Sequence, residues 1–442
     1  MYRLRAISLF SGAGGFCAGI ERAGYQIAVA VEKDRSACQT YRANFPSVPL
    51  YEGDIQKFLA PKSGHGELYG LQEIDLCYGG PPCQGHSSIG ARDADDERNG
   101  LWVEFARIID SIRPKSFIME NVPGILSSGL GKFKREILQK FQAIGYSNVT
   151  LVQVDASDFG APQIRKRVLF VGTRDDLRLS GSLDGLLKSG LDAHRQPVIS
   201  VDEAISDLPE AVCEPGEMVG YASKPSSDYQ RTRRSRNLKV SGHHTKRIGP
   251  RRANLIAHLA AGQNADSLPP ELWDGVRAQK WRRLDGSKPS HTLLAQMGKD
   301  LSEWIHPHFS RWLTLREAAR IQGFPDNFGF PCSESEALKQ VGNSVPPPLA
   351  YAVGLVVKEI LGGAVIARKR GRPTKGVRPM TGGERHRRWR ETHGSVALTV
   401  SPELAERIRL ARDELCLTTA ELLGQALDAL VEQRRPRLKR AA

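Results

Sequence analysis

The chain has 442 residues, which is more than one compact core accommodates, so we expect two or three domains. An apolar content of 40% indicates a globular protein, and 63 Lys and Arg against 49 Asp and Glu give a formal net charge of +14, which favours a polyanionic partner such as nucleic acid. No apolar run reaches the roughly 18 residues of a spanning helix, and seven cysteines without a CxxC pair argue against a disulfide framework or a zinc site. We therefore expect a cytoplasmic protein with reduced thiols and no membrane partner.

The first predicted element is a strand at residues 5–10, and residues 17–23 follow a helical pattern. A glycine-rich turn joins them, and we expect these residues to bind a cofactor: Phe10, Ser11, Gly12, Ala13, Gly14 and Gly15. Glycines let the main chain lie against a ligand, and a helix start offers free N–H groups. The strand, turn and helix therefore predict a site for an adenosine-bearing cofactor.

Acidic side chains follow the next two predicted strands. Residues 27–31 predict a strand that ends in Glu32 and Lys33, and Asp54 and Ile55 mark the end of a third strand. In a doubly wound sheet these ends lie beside the glycine turn, so Glu32 can bind ribose hydroxyls and Asp54 can accept a hydrogen bond from an adenine amino group. The alternative for Glu32 is an ordinary surface glutamate. Three successive strand ends thus predict one nucleoside pocket.

A cysteine follows the fourth predicted strand, residues 74–78. Pro81 and Pro82 fix the backbone just before Cys83, which lies at a carboxyl strand end, where open α/β sheets place their chemistry. We interpret Cys83 as the nucleophile of an enzyme. The alternative is a small, half-buried thiol that merely ends a strand.

A carboxyl group is expected opposite this thiol. The fifth predicted strand, residues 116–119, ends in Glu120, and an amphipathic helix that opens near Leu101 and runs to residue 112 makes the fourth and fifth strands parallel. A carboxylate shielded in a cleft can stay protonated and donate a proton to a reacting group. The alternative for Glu120 is a turn-capping residue.

The last two predicted strands, residues 149–155 and 168–172, are joined by a link too short for a helical crossover, so we expect them to pair antiparallel. Gln163, Arg165 and Arg167 are spaced by two and project from one face of the extended approach to the seventh strand. Beside the thiol cleft they can hold a base carbonyl or a phosphate, although arginines on an edge are usually solvent-facing.

In this order the segments resemble the C5-cytosine DNA methyltransferases over about residues 4–360. The resemblance rests on these motifs: the glycine turn, Glu32, Asp54, Pro82-Cys83-Gln84, Glu120-Asn121-Val122, Gln163-x-Arg165-x-Arg167, residues 283–290, residues 315–325 and residues 341–347. The last motif resembles the one that returns to close the family's cofactor pocket, so the resemblance adds these cofactor residues: Pro81, Leu101, Asn343, Ser344 and Val345.

The resemblance implies an α/β fold, with a Rossmann-like, S-adenosylmethionine-dependent methyltransferase sheet, an antiparallel last strand and a smaller target-recognition domain. It implies transfer of the methyl group of S-adenosylmethionine to C5 of a flipped-out cytosine in a specific duplex sequence. In that chemistry the Cys83 thiolate adds at C6, Glu120 supplies the acid at N3, and Arg165 lies near the base carbonyl. No metal is required, because the sulfonium donor is already activated.

Three positions depart from the family's pattern. Ser8 stands where an acidic residue is frequent, His86 where an aromatic residue is usual, and His291 where a proline is usual. None of the three supplies a catalytic atom, so we expect effects on loop behaviour or sequence preference rather than loss of chemistry.

DNA contacts are expected near the cysteine loop and in the loosely patterned segment between residues 175 and 281, which carries helical stretches at residues 251–261 and 270–280. The candidates are Gln84, Ser87, Gln163, His243, His244, Arg247, Arg251 and Arg252. A histidine pair such as His243 and His244 is more often structural than part of a binding site.

Beyond residue 363 the family pattern ends. A basic segment with Arg370 and Arg372 resembles an AT-hook core, with an unstructured tether as the alternative. After it, a strand-helix-helix pattern resembles a ribbon-helix-helix module, in which Ser395, Ala397 and Thr399 face DNA. Such a unit is too small to bury its own core, so it predicts a homodimer; a helical hairpin docked on the catalytic body is the alternative.

The predicted organisation is a catalytic cofactor-binding domain at residues 1–175, a target-recognition domain at 176–290, a returning methyltransferase segment at 291–363, a basic linker at 364–393 and the small module at 394–434. Expected partners are double-stranded DNA in the bacterial nucleoid and a restriction endonuclease that acts on the same site. The competing functions are a DNA-binding regulator that acts through the tail and a NAD-dependent oxidoreductase. The oxidoreductase fails because the turn is not GxGxxG and because it leaves Cys83 and Glu120 unexplained.

Overall fold

The computed structural model describes residues 3–60, 64–65, 69–82, 100–127, 131–272, 281–295 and 304–366. Contacts divide the chain into Met1–Arg368 and Lys369–Ala442, and the description below concerns the first unit. Several predicted residues lie outside the described ones: Cys83, Gln84, His86, Ser87, Arg370, Arg372, Ser395, Ala397 and Thr399. The C-terminal module and residues 367–393 of the predicted linker lie outside as well, whereas the first residues of that linker form the short strand Val365–Ile366.

The secondary structure alternates strands and helices in the first half of the chain. The strands are β1 Arg5–Leu9, β2 Gln26–Glu32, β3 Leu50–Glu52, β4 Leu76–Gly79, β5 Ser116–Asn121, β6 Asn148–Asp155, β7 Lys166–Thr173, β8 Leu177–Arg178, β9 Met218–Gly220, β10 Lys239–Ser241, β11 Arg282–Arg283, β12 Trp304–Ile305 and β13 Val365–Ile366. The α-helices are α1 Gly15–Arg22, α2 Arg35–Asn44, α3 Leu101–Ile112, α4 Gly124–Ser127, α5 Lys132–Ala143, α6 Leu183–Ala193, α7 Val201–Ile205, α8 Asp228–Arg233, α9 Pro250–Ala257, α10 Leu315–Gln322, α11 Glu334–Asn343 and α12 Pro347–Gly362.

The central element is a seven-stranded sheet in the order β3-β2-β1-β4-β5-β7-β6. Neighbouring strands from β3 to β5 are parallel, and β7 runs antiparallel to both β5 and β6. The predicted antiparallel pairing of the last two strands is therefore confirmed. A single 3₁₀ turn, Ala156–Phe159, is all that the short link between them forms.

Helices cover both faces of the sheet. Alternate residues of one strand enter opposite cores, so Ala6 packs with α1 and α12 while Ile7 packs with α3 and α5. The α1–α12 contact is close: a Cβ at Gly19 would lie 2.4 Å from the Ala350 Cβ. Only glycine permits this approach, which fixes α1, and hence the glycine turn at its start, against the returning end of the chain.

The segment Glu334–Gly362, which contains α11 and α12, is long and apolar enough for a membrane span by length and composition. Of its most apolar window, 67% is buried inside the protein. This burial identifies the segment as part of the core. The sequence did not predict it, because the segment contains no uninterrupted apolar run of that length.

The segment after β7 is more regular than the sequence reading suggested. Helices α6, α7 and α8 occupy parts that were expected to be loops, and the helix expected at residues 251–261 ends at Ala257. Leu183, Leu187 and Leu191 are all buried, and this spacing of four is the signal that predicts α6. Helix α7 carries a complete capping box between Ser200 and Glu203.

Candidate active site

A cavity of about 850 Å³ opens at the carboxyl ends of the central strands. Its size is that of a typical small-molecule site, about 300–1,000 Å³. Most of the predicted cofactor and catalytic residues line it: Phe10, Ser11, Gly12, Ala13, Gly15, Glu32, Lys33, Ile55, Pro81, Leu101, Glu120, Arg165, Arg167, Asn343, Ser344 and Val345. Segments far apart in sequence thus meet at one end of the sheet.

The glycine turn is held by Glu32. Its Oε2 accepts a hydrogen bond from the Gly12 amide at 2.7 Å, and its Oε1 accepts from the amides of Lys33 and Asp34 at 2.8 and 2.9 Å. Gly12 has φ 55°, and a Cβ built there meets no atom within 4 Å, so the main chain faces open cavity. The predicted second strand end therefore shapes the turn as well as the cavity wall.

Two predicted cofactor residues, Gly14 and Asp54, do not line the cavity. A Cβ at Gly14 would lie 2.3 Å from the Phe45 ring, so this glycine serves close packing. Asp54 Oδ1 accepts a hydrogen bond from the Gln56 amide at 2.9 Å and so closes its own turn. Its neighbour Ile55 lines the cavity instead.

Ser8, which stands where the family pattern has an acid, belongs to a neutral buried network below the glycine turn. Ser11 Oγ donates to Ser8 Oγ at 2.9 Å, and Cys17 Sγ donates to it at 3.2 Å. The hydroxyls of Tyr41 and Tyr78 in turn donate to Cys17 Sγ. Burial raises the pKa of Cys17, so the network stays uncharged and supports the turn by hydrogen bonds alone.

Glu120 lies at the end of β5 and forms an ion pair with Arg167, with Oε1 and Nε 2.7 Å apart. Both side chains are largely shielded, at 12% and 11% exposure. A Cβ at Gly80 would lie 2.8 Å from Glu120 Oε2, so the carboxyl group lies against the main chain that leads to Cys83. Asn121 Nδ2 also donates to the Pro81 carbonyl oxygen at 3.3 Å, which ties the two strand ends together.

Arg165 is fixed in the wall of the cavity. Its guanidinium donates to the carbonyl oxygens of Leu293 and Gly342 at 2.9 and 2.8 Å, and its side chain is 3% exposed. Burial and the neighbouring Arg167 hold its pKa well below the usual value, while Glu120 opposes that shift. Its Nε is buried without a partner among the described residues. A buried donor of this kind is suited to a polar ligand atom.

Three residues that were predicted to contact DNA have buried side chains in this structure, and this burial contradicts direct contact. Gln163 is fully buried and donates to the Ile321 carbonyl oxygen at 3.1 Å. His243 is also fully buried, and its ring nitrogens bond to the Pro209 carbonyl oxygen and the Thr314 hydroxyl. His244 is 9% exposed. The histidines therefore belong to the scaffold, as the alternative interpretation held.

Three other predicted DNA contacts are exposed. Arg247 is 95% exposed and lies 3.4 Å from Glu214, and Arg251 and Arg252 start α9 on the surface. The Arg252 guanidinium lies 5.7 Å from the centroid of the Trp281 ring. These three arginines remain accessible to a polyanion.

Several residues that line the cavity were not predicted from the sequence. Asp34 caps α2 and pairs with Lys339 of α11 at 3.3 Å, and both border the cavity. The segment from Thr292 to Ala295 forms another part of the wall. The helix-capping role of Asp34 could be predicted from the sequence. Its pairing with Lys339 could not, because the two residues are 305 positions apart and leave no local pattern.

The geometry fits the expected S-adenosylmethionine. The open main chain at Gly12, the acidic Glu32 and the apolar Ile55 supply the polar and apolar contacts that an adenosine-bearing group requires. The closing segment is held near the turn, because a Cβ at Gly15 would lie 2.8 Å from the Val345 carbonyl oxygen. The same cavity contains Glu120 and Arg165, so donor and acceptor chemistry share one space.

Comparisons with known proteins agree with this geometry. A family model described as C-5 cytosine-specific DNA methylase matches residues 4–359. The Type II methyltransferase M.AgeI of Thalassovita gelatinovora is 31% identical over 428 residues, which cover 80% of this chain and 99% of that protein. M.DdeI of Desulfomicrobium norvegicum is 35% identical over 374 residues, with coverages of 79% and 87%. An E. coli protein described as a DNA modification methyltransferase encoded within a prophage has a similar solved structure, with TM-score 0.66, 28% identity and coverages of 81% and 99%.

Proposed function

The chain belongs to the C-5 cytosine-specific DNA methylase family, and from that premise we propose which residues carry its reaction. The protein is a DNA (cytosine-5)-methyltransferase that uses S-adenosylmethionine to methylate a specific DNA sequence. One observation supports the assignment below most strongly. Glu120, Arg165 and the strand end that leads to Cys83 share a cavity with the glycine turn.

We assign the covalent step to Cys83. Cytosine C5 is a weak nucleophile until a thiolate adds at C6, so Cys83 forms a sulfur–C6 bond while Glu120, in its carboxylic acid form, delivers a proton to N3. S-adenosylmethionine supplies the methyl group as an activated sulfonium. After S-adenosylhomocysteine leaves, the C5 proton is lost to water and the N3 proton returns to Glu120 while the sulfur–C6 bond breaks, which regenerates the Cys83 thiolate and releases 5-methylcytosine.

The two arginines have different roles in this proposal. Arg167 pairs with Glu120 and holds the carboxyl group in place, so it is a positioning residue. Arg165 is fixed in the cavity wall by two main-chain carbonyls, and we assign its guanidinium to the base carbonyl. The fixed cation also favours the charged form of a nearby thiol, whose ordinary pKa is about 8.5.

The cofactor residues follow from the cavity wall. We assign the ribose hydroxyls to Glu32, the adenine side to Ile55 rather than Asp54, and the closing contacts to Asn343, Ser344 and Val345. Phe10 and Leu101 supply apolar contact from either side. Pro81 and Pro82, which precede the nucleophile, complete the cavity wall.

Duplex DNA is the substrate, and C6 is inaccessible in a stacked base pair, so the target base is flipped into the cavity. We propose that residues 1–175 and 291–363 form the catalytic domain and that residues 176–290 recognise the target. In this region we assign phosphate contacts to Arg247, Arg251 and Arg252, because all three are exposed.

For the C-terminal residues we propose a basic linker at 364–393 and a ribbon-helix-helix module at 394–434, which pairs two copies of the chain on DNA. The support is the sequence pattern, which also favours a second function as a DNA-binding regulator. Sedimentation of the full chain beside a form ending at residue 390 tests the pairing, because a dimer requires the longer form. We also propose a cognate restriction endonuclease, because M.AgeI and M.DdeI are named Type II methyltransferases, and residence on the nucleoid, because the substrate is DNA.

Trapping on DNA that contains 5-fluorocytosine tests the central assignment. Fluorine at C5 cannot be removed as a proton is, so the protein stays bonded to C6 in the presence of S-adenosylmethionine. We expect a covalent complex for the natural protein and for Cys213→Ser, a control outside the cavity, and none for Cys83→Ser. A complex with Cys83→Ser would refute the role of Cys83. Bisulfite sequencing of host DNA identifies the recognised sequence.

A further inference from the structure

A histidine and an arginine lie beside the mouth of the catalytic cavity and have no role in the scheme above. We propose that Arg282, oriented by His291, binds a phosphate of the duplex beside the flipped base. This inference rests on the proposed function, because it places the DNA backbone at the catalytic cavity. It adds a positioning pair that no motif identifies.

The location follows from a chain of contacts. Ile164 donates its amide to the Ser290 carbonyl oxygen at 2.8 Å, and the Thr292 hydroxyl donates to the Ile164 carbonyl oxygen at 2.7 Å. Thr292 lines the catalytic cavity, as does Arg165, which follows Ile164. His291 is therefore next to the cavity wall in sequence, and its two neighbours, Ser290 and Thr292, are both hydrogen-bonded to Ile164, the residue before Arg165.

Arg282 and Arg283 are neighbours with opposite environments. Arg283 is 7% exposed and donates to the main-chain carbonyls of Leu259, Ile256 and His306, so its guanidinium is used inside the protein. Arg282 is only half-buried, and in the described part of the chain no carboxylate pairs with it. A guanidinium has five N–H donors, so most of those of Arg282 are left for a ligand.

His291 fixes the direction of that guanidinium. Arg282 Nη1 donates to His291 Nε2 at 2.7 Å, an arrangement that requires a neutral imidazole. Burial, and then the charge of Arg282, lower the pKa of His291, which keeps the ring neutral. The ring is also stacked on Trp304, with centroids 6.3 Å apart and planes 29° apart, and Trp304 is 5% exposed.

The ligand chemistry follows from charge and place. Arginine is suited to phosphate because its planar donors meet two oxygens at once. The exposed Ile164 and Lys166 lie on the same strand approach, and the chain has a net charge of +14, so a polyanion is the partner that this edge attracts.

The test measures binding of the full-length protein to a labelled duplex that carries a site methylated by the natural protein, with S-adenosylhomocysteine present. The affinity is followed over salt concentrations from about 50 to 300 mM, because each phosphate contact contributes about one unit to the slope of log affinity against log salt. We expect Arg282→Ala to weaken binding by roughly tenfold at the lower salt and to reduce the slope by about one unit. Affinity for S-adenosylhomocysteine alone should be unchanged.

The histidine variants separate orientation from charge. His291→Ala should weaken DNA binding by about threefold with the slope retained, since the charge of Arg282 remains, and His291→Gln should restore the affinity by supplying an acceptor. Lys188→Ala is the matched control, because it removes an exposed cation that pairs with Asp184 within its own helix. It should leave the slope unchanged.

Natural slope and affinity in Arg282→Ala would overturn the phosphate contact, and so would an equal loss in Lys188→Ala, which would indicate net charge alone. An unchanged affinity in His291→Ala would overturn the orienting role. Arg282→Gln, which keeps a planar side chain without charge, repeats the slope measurement if Arg282→Ala unfolds on thermal melting. Failure of the natural protein to methylate DNA would instead count against the proposed function, while binding to plasmid DNA would still report the slope.

Discussion

The cavity end of the sheet and the interior around α10 use the same polar residue types for opposite purposes. At the cavity, Glu32, Glu120 and Arg165 end strands or precede them and face a space that admits a ligand. Around α10, Arg320 and Asp207 are fully buried and bond to each other, away from the cavity. Between these two regions, the charged residues that take part in the proposed chemistry are the ones at strand ends that face open space.

The buried charges around α10 are stable because every partner is present. Arg320 donates to both carboxylate oxygens of Asp326 at 2.6 Å and to Asp207 Oδ1 at 2.9 Å. Arg234 donates to the other Asp207 oxygen at 2.8 Å. A buried ion needs such a complete set of hydrogen bonds to offset its desolvation. The network joins α10 to Asp207 and Arg234, which lie in the segment proposed to recognise the target.

The largest effect on activity is expected at Glu120. Glu120→Gln removes the acid without changing the shape, so we expect kcat to fall by about 10²–10⁴-fold, with binding of S-adenosylmethionine retained. Asp54→Asn is the control, because Asp54 also follows a strand but does not line the cavity. Steady-state methyl transfer to plasmid DNA measures both. An equal loss in the two variants would remove the distinction between strand ends that face the cavity and those that do not.

The largest effect on stability is expected at Asp207. Asp207→Ala leaves Arg320 and Arg234 without a shared carboxylate in the interior, and breaking a buried pair in this way costs about 3–5 kcal/mol. Urea unfolding measures the change. Asp184→Ala, which removes an exposed partner of Lys188, should unfold like the natural protein. If Asp207→Ala unfolded at the natural urea concentration, the network would not be part of the scaffold.

Acid pH should act on the same interior through His306. Its Nδ1 accepts the amides of His308 and Phe309 at 3.1 and 3.2 Å, and burial lowers its pKa from 6.5 to about 4. Below pH 6.5 the unfolded chain takes up the proton first, so stability falls as the pH drops from 6.5 towards 4, by about 3 kcal/mol in total. Between pH 6.5 and 4.5 this loss precedes that of Glu317, whose pKa is lowered to about 2.

Unfolding measured at successive pH values from 7 to 4.5 tests this dependence. His306→Asn should flatten the curve in part, because His243 has a pKa lowered by burial and contributes in the same direction. His308→Asn, at the neighbouring exposed ring, should change the curve less than His306→Asn does. A natural curve in His306→Asn would contradict the assignment.

The same difference between the cavity end and the interior determines which features could be predicted from the sequence. The parallel pairing of β4 with β5, the antiparallel pairing of β6 with β7 and most of the cavity wall were predictable, because each strand end carries its functional residue within a few positions. The buried roles of Gln163, His243 and Arg320 were not predictable. Their partners lie far away in sequence, as with Arg320 and Asp207, and a single chain does not distinguish an arginine that meets a distant carboxylate from one that meets water.

At the cofactor turn we expect a moderate effect. Glu32→Gln keeps one acceptor for an amide but loses a charged one, and charge-assisted hydrogen bonds contribute about 1.5–3 kcal/mol. Because the side chain is partly exposed, we expect the KM for S-adenosylmethionine to rise by roughly tenfold, with the KM for DNA unchanged. Asp34→Asn, on the same wall, tests whether any acid there has this effect. An equal rise in KM would assign the role to local charge rather than to the turn.

The smallest effect is expected at Arg247, a charged residue that lies on the surface rather than in the cavity or the interior. Arg247 and Glu214 are both exposed, and exposed pairs contribute little to stability, so Arg247→Ala should melt like the natural protein. If Arg247 meets a phosphate, the same variant should bind duplex DNA about threefold more weakly, with a smaller dependence on salt. His243→Ala should show the reverse, a lower melting temperature with normal salt dependence, because its ring is buried between Pro209 and Thr314. Two basic residues four positions apart would then differ in kind, since burial, rather than residue type, decides which of them reaches DNA.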